Sequence, residues 1–180
     1  MKIHNYSLNW LNKLNETFLD QNFSELEKIS KLILRKNKFI YVFGNGGSSS
    51  IANHFGSDLI KQLNLKNINF NNDNLLTCFA NDFGWDNWIS NCIKRFIKKD
   101  DLIFLISSSG NSQNMINAAK VAKSKKAIIV TLTGFNGNNK LSKLGHMNLI
   151  ANSKNFNIIE NTHQIWLLLL IDYCGKIKIN

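Results

Sequence analysis

The sequence predicts an α/β protein built on a parallel sheet. Apolar runs alternate with amphipathic stretches along most of the chain, which is the pattern of strands and helices in such folds. The runs at 39–43, 102–106 and 127–132 are almost wholly apolar, as expected of strands that helices cover on both faces. With 180 residues, of which 44% are hydrophobic, the chain can form a core without disulfides or metal.

The elements follow in order from the N-terminus. Residues 1–36 contain two helical patterns, each with an apolar residue every three or four positions, and they precede the first strand. Five strands are predicted at 39–43, 75–78, 102–106, 127–132 and 147–150. Further helices are predicted at 48–61, 85–96, 112–124, near Lys140 and at 158–175. The chain is thus expected to be a single domain, with a helical pair at 1–36 and an α/β core at 37–180.

Composition and charge narrow the classes of function. The net charge is +10, which favours the approach of anionic substrates. The lysines are scattered and the arginines do not cluster, and this pattern argues against nucleic acid as a partner. The chain has an odd number of cysteines, and the three lie in segments that look buried: Cys78, Cys92 and Cys174. This pattern is typical of the reduced thiols of a cytoplasmic protein. The N-terminus lacks the apolar region of a signal peptide, and no apolar run approaches the ~20 residues that cross a bilayer. We therefore expect a cytoplasmic protein with no membrane partner.

A glycine-rich turn follows the first predicted strand, in the segment Gly44-Asn45-Gly46-Gly47-Ser48. Glycines allow positive φ angles and a close approach to an anion, and backbone N–H groups are free at the start of the next helix. The spacing of the glycines matches neither the P-loop of nucleoside triphosphatases nor the glycine-rich motif of dinucleotide-binding domains. The turn predicts an anion site for a phosphorylated substrate rather than a nucleotide.

A second polar loop follows the predicted strand at 102–106. It reads Ser107-Ser108-Ser109-Gly110-Asn111-Ser112 and leads into a helix. A single loop of this kind could be an ordinary serine-rich helix cap. Two such loops, each after a buried strand, favour a phosphate site, because ligands of open α/β sheets bind at the carboxyl ends of the strands.

His54 and Asp58 lie four residues apart on the helix that follows the glycine-rich turn. This spacing places an imidazole and a carboxylate on one face of the helix. Together with the two loops, the pair suggests chemistry on a phosphorylated substrate.

These motifs, with Asn81-Asp82 and Leu132-Thr133-Gly134, resemble the sugar isomerase (SIS) domain family over nearly the whole chain, and within it the phosphoheptose isomerases. The resemblance implies a flavodoxin-like, five-stranded parallel sheet flanked by helices. It also implies a homotetramer with sites at subunit interfaces, in which the two N-terminal helices serve oligomerisation. The implied reaction converts sedoheptulose 7-phosphate into heptose 7-phosphate through an enediol, for surface polysaccharide synthesis.

The resemblance assigns roles to particular residues. The catalytic base would be Asp58. Zinc or another divalent metal would be held by His54, Asp58 and Glu160. The phosphate would bind the loop at 107–112. The implied substrate contacts are Asn45, Gly46, Gly47, Ser48, Asn81, Asp82, Ser107, Ser108, Ser109, Ser112 and Glu160.

The chain departs from the family pattern at three positions. Asp58 stands where the family has Glu, Glu160 stands where it has Gln, and Leu168 stands where it has the histidine that acts as acid and base. His163 is a poor substitute, because it points roughly 140° away from position 168 around a helix. Two functions therefore stay open: a sugar-phosphate isomerase, or a non-catalytic sugar-phosphate-binding or regulatory SIS protein that resembles the DnaA initiator-associating protein.

Overall fold

The computed structural model describes residues 2–21, 23–35, 37–68, 70 and 72–178. The strands are β1 (Ile40–Gly44), β2 (Asn67–Ile68), β3 (Leu102–Ser107), β4 (Ile128–Gly134) and β5 (Met147–Ala151). They form one sheet in the order β2-β1-β3-β4-β5, and each pair of neighbours is parallel. This topology confirms the predicted flavodoxin-like class.

The helices are α1 (Ile3–Leu19), α2 (Phe23–Ile33), α3 (Gly47–Lys61), α4 (Asp73–Phe83), α5 (Trp88–Phe96), α6 (Gln113–Ser124) and α7 (Phe156–Gly175). A short 3₁₀ helix spans Ser142–Leu144. In the described part of the chain, every helix is too short or too polar to cross a bilayer.

The strand order reverses between β1 and β3. These two strands pair directly, with Gly44 opposite Ile106 at their carboxyl ends, whereas β2 lies on the other side of β1. At such a reversal the connections leave towards opposite faces of the sheet, which opens a crevice beyond the carboxyl ends. The glycine-rich turn and the serine-rich loop both begin at this crevice.

Helices cover both faces of the sheet, and the alternation of side chains along each strand feeds two cores. Val42 and Phe104 belong to a core shared with α2, α3 and α7. Phe43 and Leu105 belong to the opposite core, shared with α5 and α6. Because each strand contributes to both cores, the strands are apolar at successive positions, as the sequence indicated.

The predicted strand at 75–78 is wrong, because these residues lie in helix α4. The Asn72 side chain accepts a hydrogen bond from the backbone N–H of Leu75 at 2.9 Å and caps this helix. Leu75, Leu76, Phe79 and Ala80 then recur at helical spacing and pack on the core beside α5. The second strand is the two-residue β2, which is too short to produce an alternating pattern.

One other expectation changes in the structure, and α1 differs from the other helices in its burial. Cys78 is exposed on α4, although Cys92 and Cys174 are buried as predicted. Helix α1 buries only Thr17 among its described side chains and leaves Leu8 and Leu11 about half exposed. The N-terminal part of the apolar stripe on α1 is therefore exposed in its own chain, whereas Phe18 near the C-terminal end packs against the core.

Candidate functional site

The structure brings the two sequence-predicted loops together at one cleft of about 150 Å³. The cleft lies at the carboxyl ends of β1 and β3, where the sheet order reverses. Helix α7 closes it from the side. Its lining consists of Asn45, Ser48, Ile106, Ser107, Ser108, Ser109, Ser112, Phe156 and Glu160.

The glycine-rich turn returns the chain sharply from β1 into α3. A Cβ atom at Gly44 would overlap the carbonyl of Ser48, so only glycine allows this return. Gly46 has a φ of 53°, a conformation that other residues rarely adopt. The turn thus places the N-terminus of α3 at the cleft, and backbone N–H groups at a helix N-terminus attract anions.

The serine-rich loop gathers hydroxyl groups at the N-terminus of α6. The Oγ atoms of Ser107 and Ser112 lie 3.1 Å apart, and Ser109 Oγ accepts a hydrogen bond from the Asn111 N–H at 3.2 Å. Gly110, with a φ of 63°, donates its N–H to the Ser107 carbonyl at 2.9 Å and forms the turn. The serine hydroxyls and the backbone N–H groups at the N-terminus of α6 therefore form a cradle that suits a phosphate group.

Asn114 joins the two loops and was missed by sequence reasoning. Its side-chain amide and that of Asn45 exchange two hydrogen bonds, both 3.0 Å long. Asn114 is almost fully buried in the first turn of α6. A polar residue on the otherwise apolar buried face of α6 was the available signal, because a buried amide needs hydrogen-bond partners.

Glu160 brings a carboxylate into the cleft. Ser108 Oγ donates to its Oε1 atom at 3.4 Å, and a Cβ atom at Gly47 would overlap its Oε2 atom. The carboxylate therefore lies between the two loops, against the first residue of α3. A carboxylate next to an anion cradle is unusual, because like charges repel each other.

His54 and Asp58 form a pair on α3, outside the lining of the cleft. His54 Nε2 lies 3.3 Å from Asp58 Oδ2, and Gln164 Nε2 lies 3.3 Å from His54 Nδ1. The Gln164 amide and the Asp58 carboxylate thus lie at hydrogen-bond distance from the two different nitrogens of the His54 ring. Both ring nitrogens of His54 are thus engaged by protein groups.

The expected ligand trio of His54, Asp58 and Glu160 does not converge. In the part of the chain that the structure describes, no group of three or more histidine, cysteine or acidic side chains is placed to hold a metal ion. Glu160 lies against Gly47, whereas His54 is two helical turns further along α3, about 10 Å. Within one chain these residues do not fit a zinc ion, which takes about four ligands.

Asn81 and Asp82 are also outside the cleft. Both are exposed near the end of α4, and Asn81 Nδ2 donates to Asp82 Oδ1 at 3.1 Å. Gly46, by contrast, belongs to the glycine-rich turn beside the cleft, although its atoms do not line the cleft. The structure therefore groups the two loops and Glu160 and separates them from the polar pair on α4.

The chain shows clear similarity to known proteins. A model of the SIS domain matches residues 8–134, which is more than half of the chain. The chain belongs to the SIS domain family. The phosphoheptose isomerase of Aliarcobacter butzleri is 35% identical over 147 residues, which cover 77% of each chain.

Solved structures share the fold of this SIS domain. The phosphoheptose isomerase of Neisseria gonorrhoeae superposes with a TM-score of 0.88, at 22% identity, over 97% of each chain. The Vibrio vulnificus NanR protein complexed with ManNAc-6P superposes with a TM-score of 0.77, at 21% identity, over 97% of this chain and 62% of that one.

The last helix of this SIS domain holds His163 and Leu168. His163 is fully buried, its Nε2 lies 3.0 Å from the Thr133 carbonyl oxygen, and its ring packs on Trp166. Burial lowers the pKa of His163 to about 4, although the hydrogen bond to Thr133 opposes that shift. His163 is therefore neutral and packs in the core, while the half-buried Leu168 carries no exchangeable proton.

Proposed function

We propose that this SIS protein is a sugar-phosphate isomerase that converts sedoheptulose 7-phosphate into heptose 7-phosphate, in the cytoplasm. The observation that carries the proposal is the serine-rich cleft at the N-termini of α3 and α6. A phosphate bound by Ser107, Ser109 and Ser112 would meet hydroxyl donors and the positive end of a helix dipole. The relatives named phosphoheptose isomerases support this substrate.

The proposed reaction is a proton shift between two neighbouring carbons. A base removes the proton next to the carbonyl group, an enediol forms, and the proton returns to the adjacent carbon. We keep Asp58 as a candidate base. Because it lies outside the cleft of its own chain, we propose that a second copy presents it to the substrate. Asn81 and Asp82 remain proposed substrate contacts under the same condition.

The proposed assembly is a homotetramer, and it would supply such second copies. Helix α1 exposes Leu8 and Leu11, and a groove of about 370 Å³ lined by Tyr6, Ser7, Trp10 and Leu11 runs beside them. Apolar stripes of this kind are usually buried between helices. For zinc, His54 and Asp58 could offer two ligands, and a complete site would also need side chains from another copy.

A non-catalytic sugar-phosphate-binding role is the second candidate. Two departures from the family pattern favour it: Leu168 replaces the histidine that acts as acid and base, and Glu160 adds a negative charge beside the anion cradle. The fold is compatible with the binding of a sugar phosphate, because the NanR protein complexed with ManNAc-6P has the same architecture.

Turnover of sedoheptulose 7-phosphate by the purified full chain tests the proposal. Ser112→Ala should raise KM at least tenfold, because a hydrogen bond to a charged group contributes about 1.5–3 kcal/mol. Ser124→Ala, at the exposed far end of α6, is the matched control and should leave KM unchanged. Asp58→Asn should lower kcat on the order of 10²-fold or more if Asp58 is the base. Binding of the sugar phosphate without turnover, with and without added zinc, would instead establish the non-catalytic role.

A further inference from the structure

The serine cleft has a polar floor and an apolar side chain on its rim. Ser48, Ser107 and Ser108 line the floor and are buried. Phe156 also lines the cleft but is 53% exposed, whereas the other described lining residues are buried or half-buried. A single exposed apolar side chain is common on protein surfaces, but a phenyl ring beside an anion cradle offers the anion no hydrogen bond. Phosphate binding alone therefore leaves this ring without a ligand contact.

The Phe156 ring is held in a fixed position. Phe156 is the first residue of α7, and the preceding Asn155 side chain caps the helix by accepting hydrogen bonds from the N–H groups of Asn157 and Ile158. The ring packs edge-on against Phe135, with 5.6 Å between the ring centroids and 82° between the planes. Phe135 in turn packs on the core. The exposed part of the Phe156 ring is thus preorganised to contact a ligand.

The size of the cleft indicates which part of a ligand meets the ring. A volume of about 150 Å³ holds about five water-sized groups at roughly 30 Å³ each, which is the size of one phosphate group. A phosphate held by the serines would therefore fill the cleft, and the carbon chain esterified to it must leave over the rim. Phe156 is the exposed apolar side chain there, and the C–H groups of the carbon chain are its apolar complement.

From this arrangement we infer that Phe156 is a substrate-binding residue that selects phosphate monoesters over inorganic phosphate. Its ring packs on the carbon atoms next to the phosphate group. The inference rests on the proposed binding of phosphate in the serine cleft. Covering about 50 Å² of the ring, roughly half of its exposed area, corresponds to about five- to tenfold in affinity.

Titration calorimetry with the full chain tests this selectivity, using inorganic phosphate, propyl phosphate and sedoheptulose 7-phosphate. At about pH 8 all three ligands are mainly dianions, so Glu160 repels them to a similar extent. Wild type should bind propyl phosphate about five- to tenfold more tightly than inorganic phosphate. Phe156→Ala should weaken the binding of both esters about five- to tenfold and change the binding of inorganic phosphate less than about twofold.

Phe96→Ala is the matched control. Phe96 is 46% exposed and packs on one other phenylalanine ring, that of Phe70, with the centroids 5.1 Å apart. It lies at the C-terminal end of α5, outside the lining of the cleft. This variant should bind all three ligands as wild type does. Phe156→Leu keeps an apolar side chain on the rim and should retain most of the affinity for the esters.

The wild-type comparison covers the case in which Phe156→Ala does not fold, because it needs no variant. Equal affinities of wild type for propyl phosphate and inorganic phosphate would overturn the selectivity. An equal loss for all three ligands in a folded Phe156→Ala variant would overturn it as well, because the ring would then support the cradle rather than the carbon chain. Unchanged affinity for the esters, together with a lower mass in light scattering, would show that a second copy covers the ring instead.

The same titrations separate this inference from the proposed reaction. A wild type that binds sedoheptulose 7-phosphate without turning it over overturns the isomerase function, and the affinities still decide the role of Phe156. A wild type that binds none of the three ligands overturns phosphate binding in the serine cleft and the role of Phe156 together. An active isomerase whose Phe156→Ala variant keeps wild-type affinity for both esters overturns the role of Phe156 alone.

Discussion

Lowering the pH should reduce the free energy of unfolding of this protein, in part because of His163. The side chain is fully buried, its Nε2 faces the Thr133 carbonyl, and its Nδ1 has no hydrogen-bond partner among the described residues. Burial holds its pKa at about 4, whereas an exposed histidine has a pKa of 6.5. Above pH 6.5 both the folded and the unfolded chain have a neutral His163, and the residue contributes no pH dependence.

Between pH 6.5 and pH 4 the unfolded chain binds a proton at His163 that the folded chain does not. The free energy of unfolding must therefore fall as the pH falls through this range, and it levels off below the folded pKa. One unit of pKa corresponds to about 1.4 kcal/mol, so the complete loss is about 3 kcal/mol. This is a large share of the 5–15 kcal/mol that is typical of whole domains.

Urea unfolding at a series of pH values measures this loss. Carboxylates also titrate below pH 5, so the informative quantity is the difference between wild type and His163→Gln, which removes the titrating group. The variant should be less stable at pH 7 but should lose about 3 kcal/mol less between pH 7 and pH 4. His4→Gln makes the same change at an exposed position and should follow the wild-type curve. Equal pH dependence in wild type and His163→Gln would refute the reasoning.

Two further predictions concern stability and assembly. Asp101 is buried and accepts hydrogen bonds from the backbone N–H groups of Phe39 at 3.2 Å and Lys98 at 2.8 Å, so Asp101→Ala should cost about 2–4 kcal/mol in urea unfolding. A cost below about 0.5 kcal/mol would show that these bonds are replaced by water. Light scattering at micromolar concentration should give four times the 20.6 kDa of one chain, and Leu11→Glu on α1 should reduce that mass. A wild-type mass of one chain would contradict the tetramer.

The α/β class and the location of the cleft could be predicted from the sequence because their signals are local. Buried strands are apolar runs, and glycines and serines directly after β1 and β3 mark the loops. Parallel strands then bring these loops to one edge of the sheet whatever the details of packing. The prediction of a strand at 75–78 was wrong because it also rested on a local signal. A short apolar run fits a strand and one face of a helix equally well.

Contacts between residues far apart in the sequence required the tertiary structure. The Asn45–Asn114 pair spans 69 residues, the Ser108–Glu160 contact spans 52, and the His54–Gln164 contact spans 110. No periodicity relates such positions, because each contact depends on how α6 and α7 pack against the sheet and against α3.

The amino-acid sequence by itself determined the class of this protein, the two polar loops after β1 and β3, and its membership of the SIS domain family. Those properties are encoded in short runs of residues, because the spacing of apolar residues and the positions of glycines and serines indicate the local secondary structure. Only the tertiary structure showed the contacts of Glu160 with Ser108 and Gly47 and the contact of His54 with Gln164. Helix packing, which joins elements from the two ends of the chain, decides which ionisable groups share a cleft.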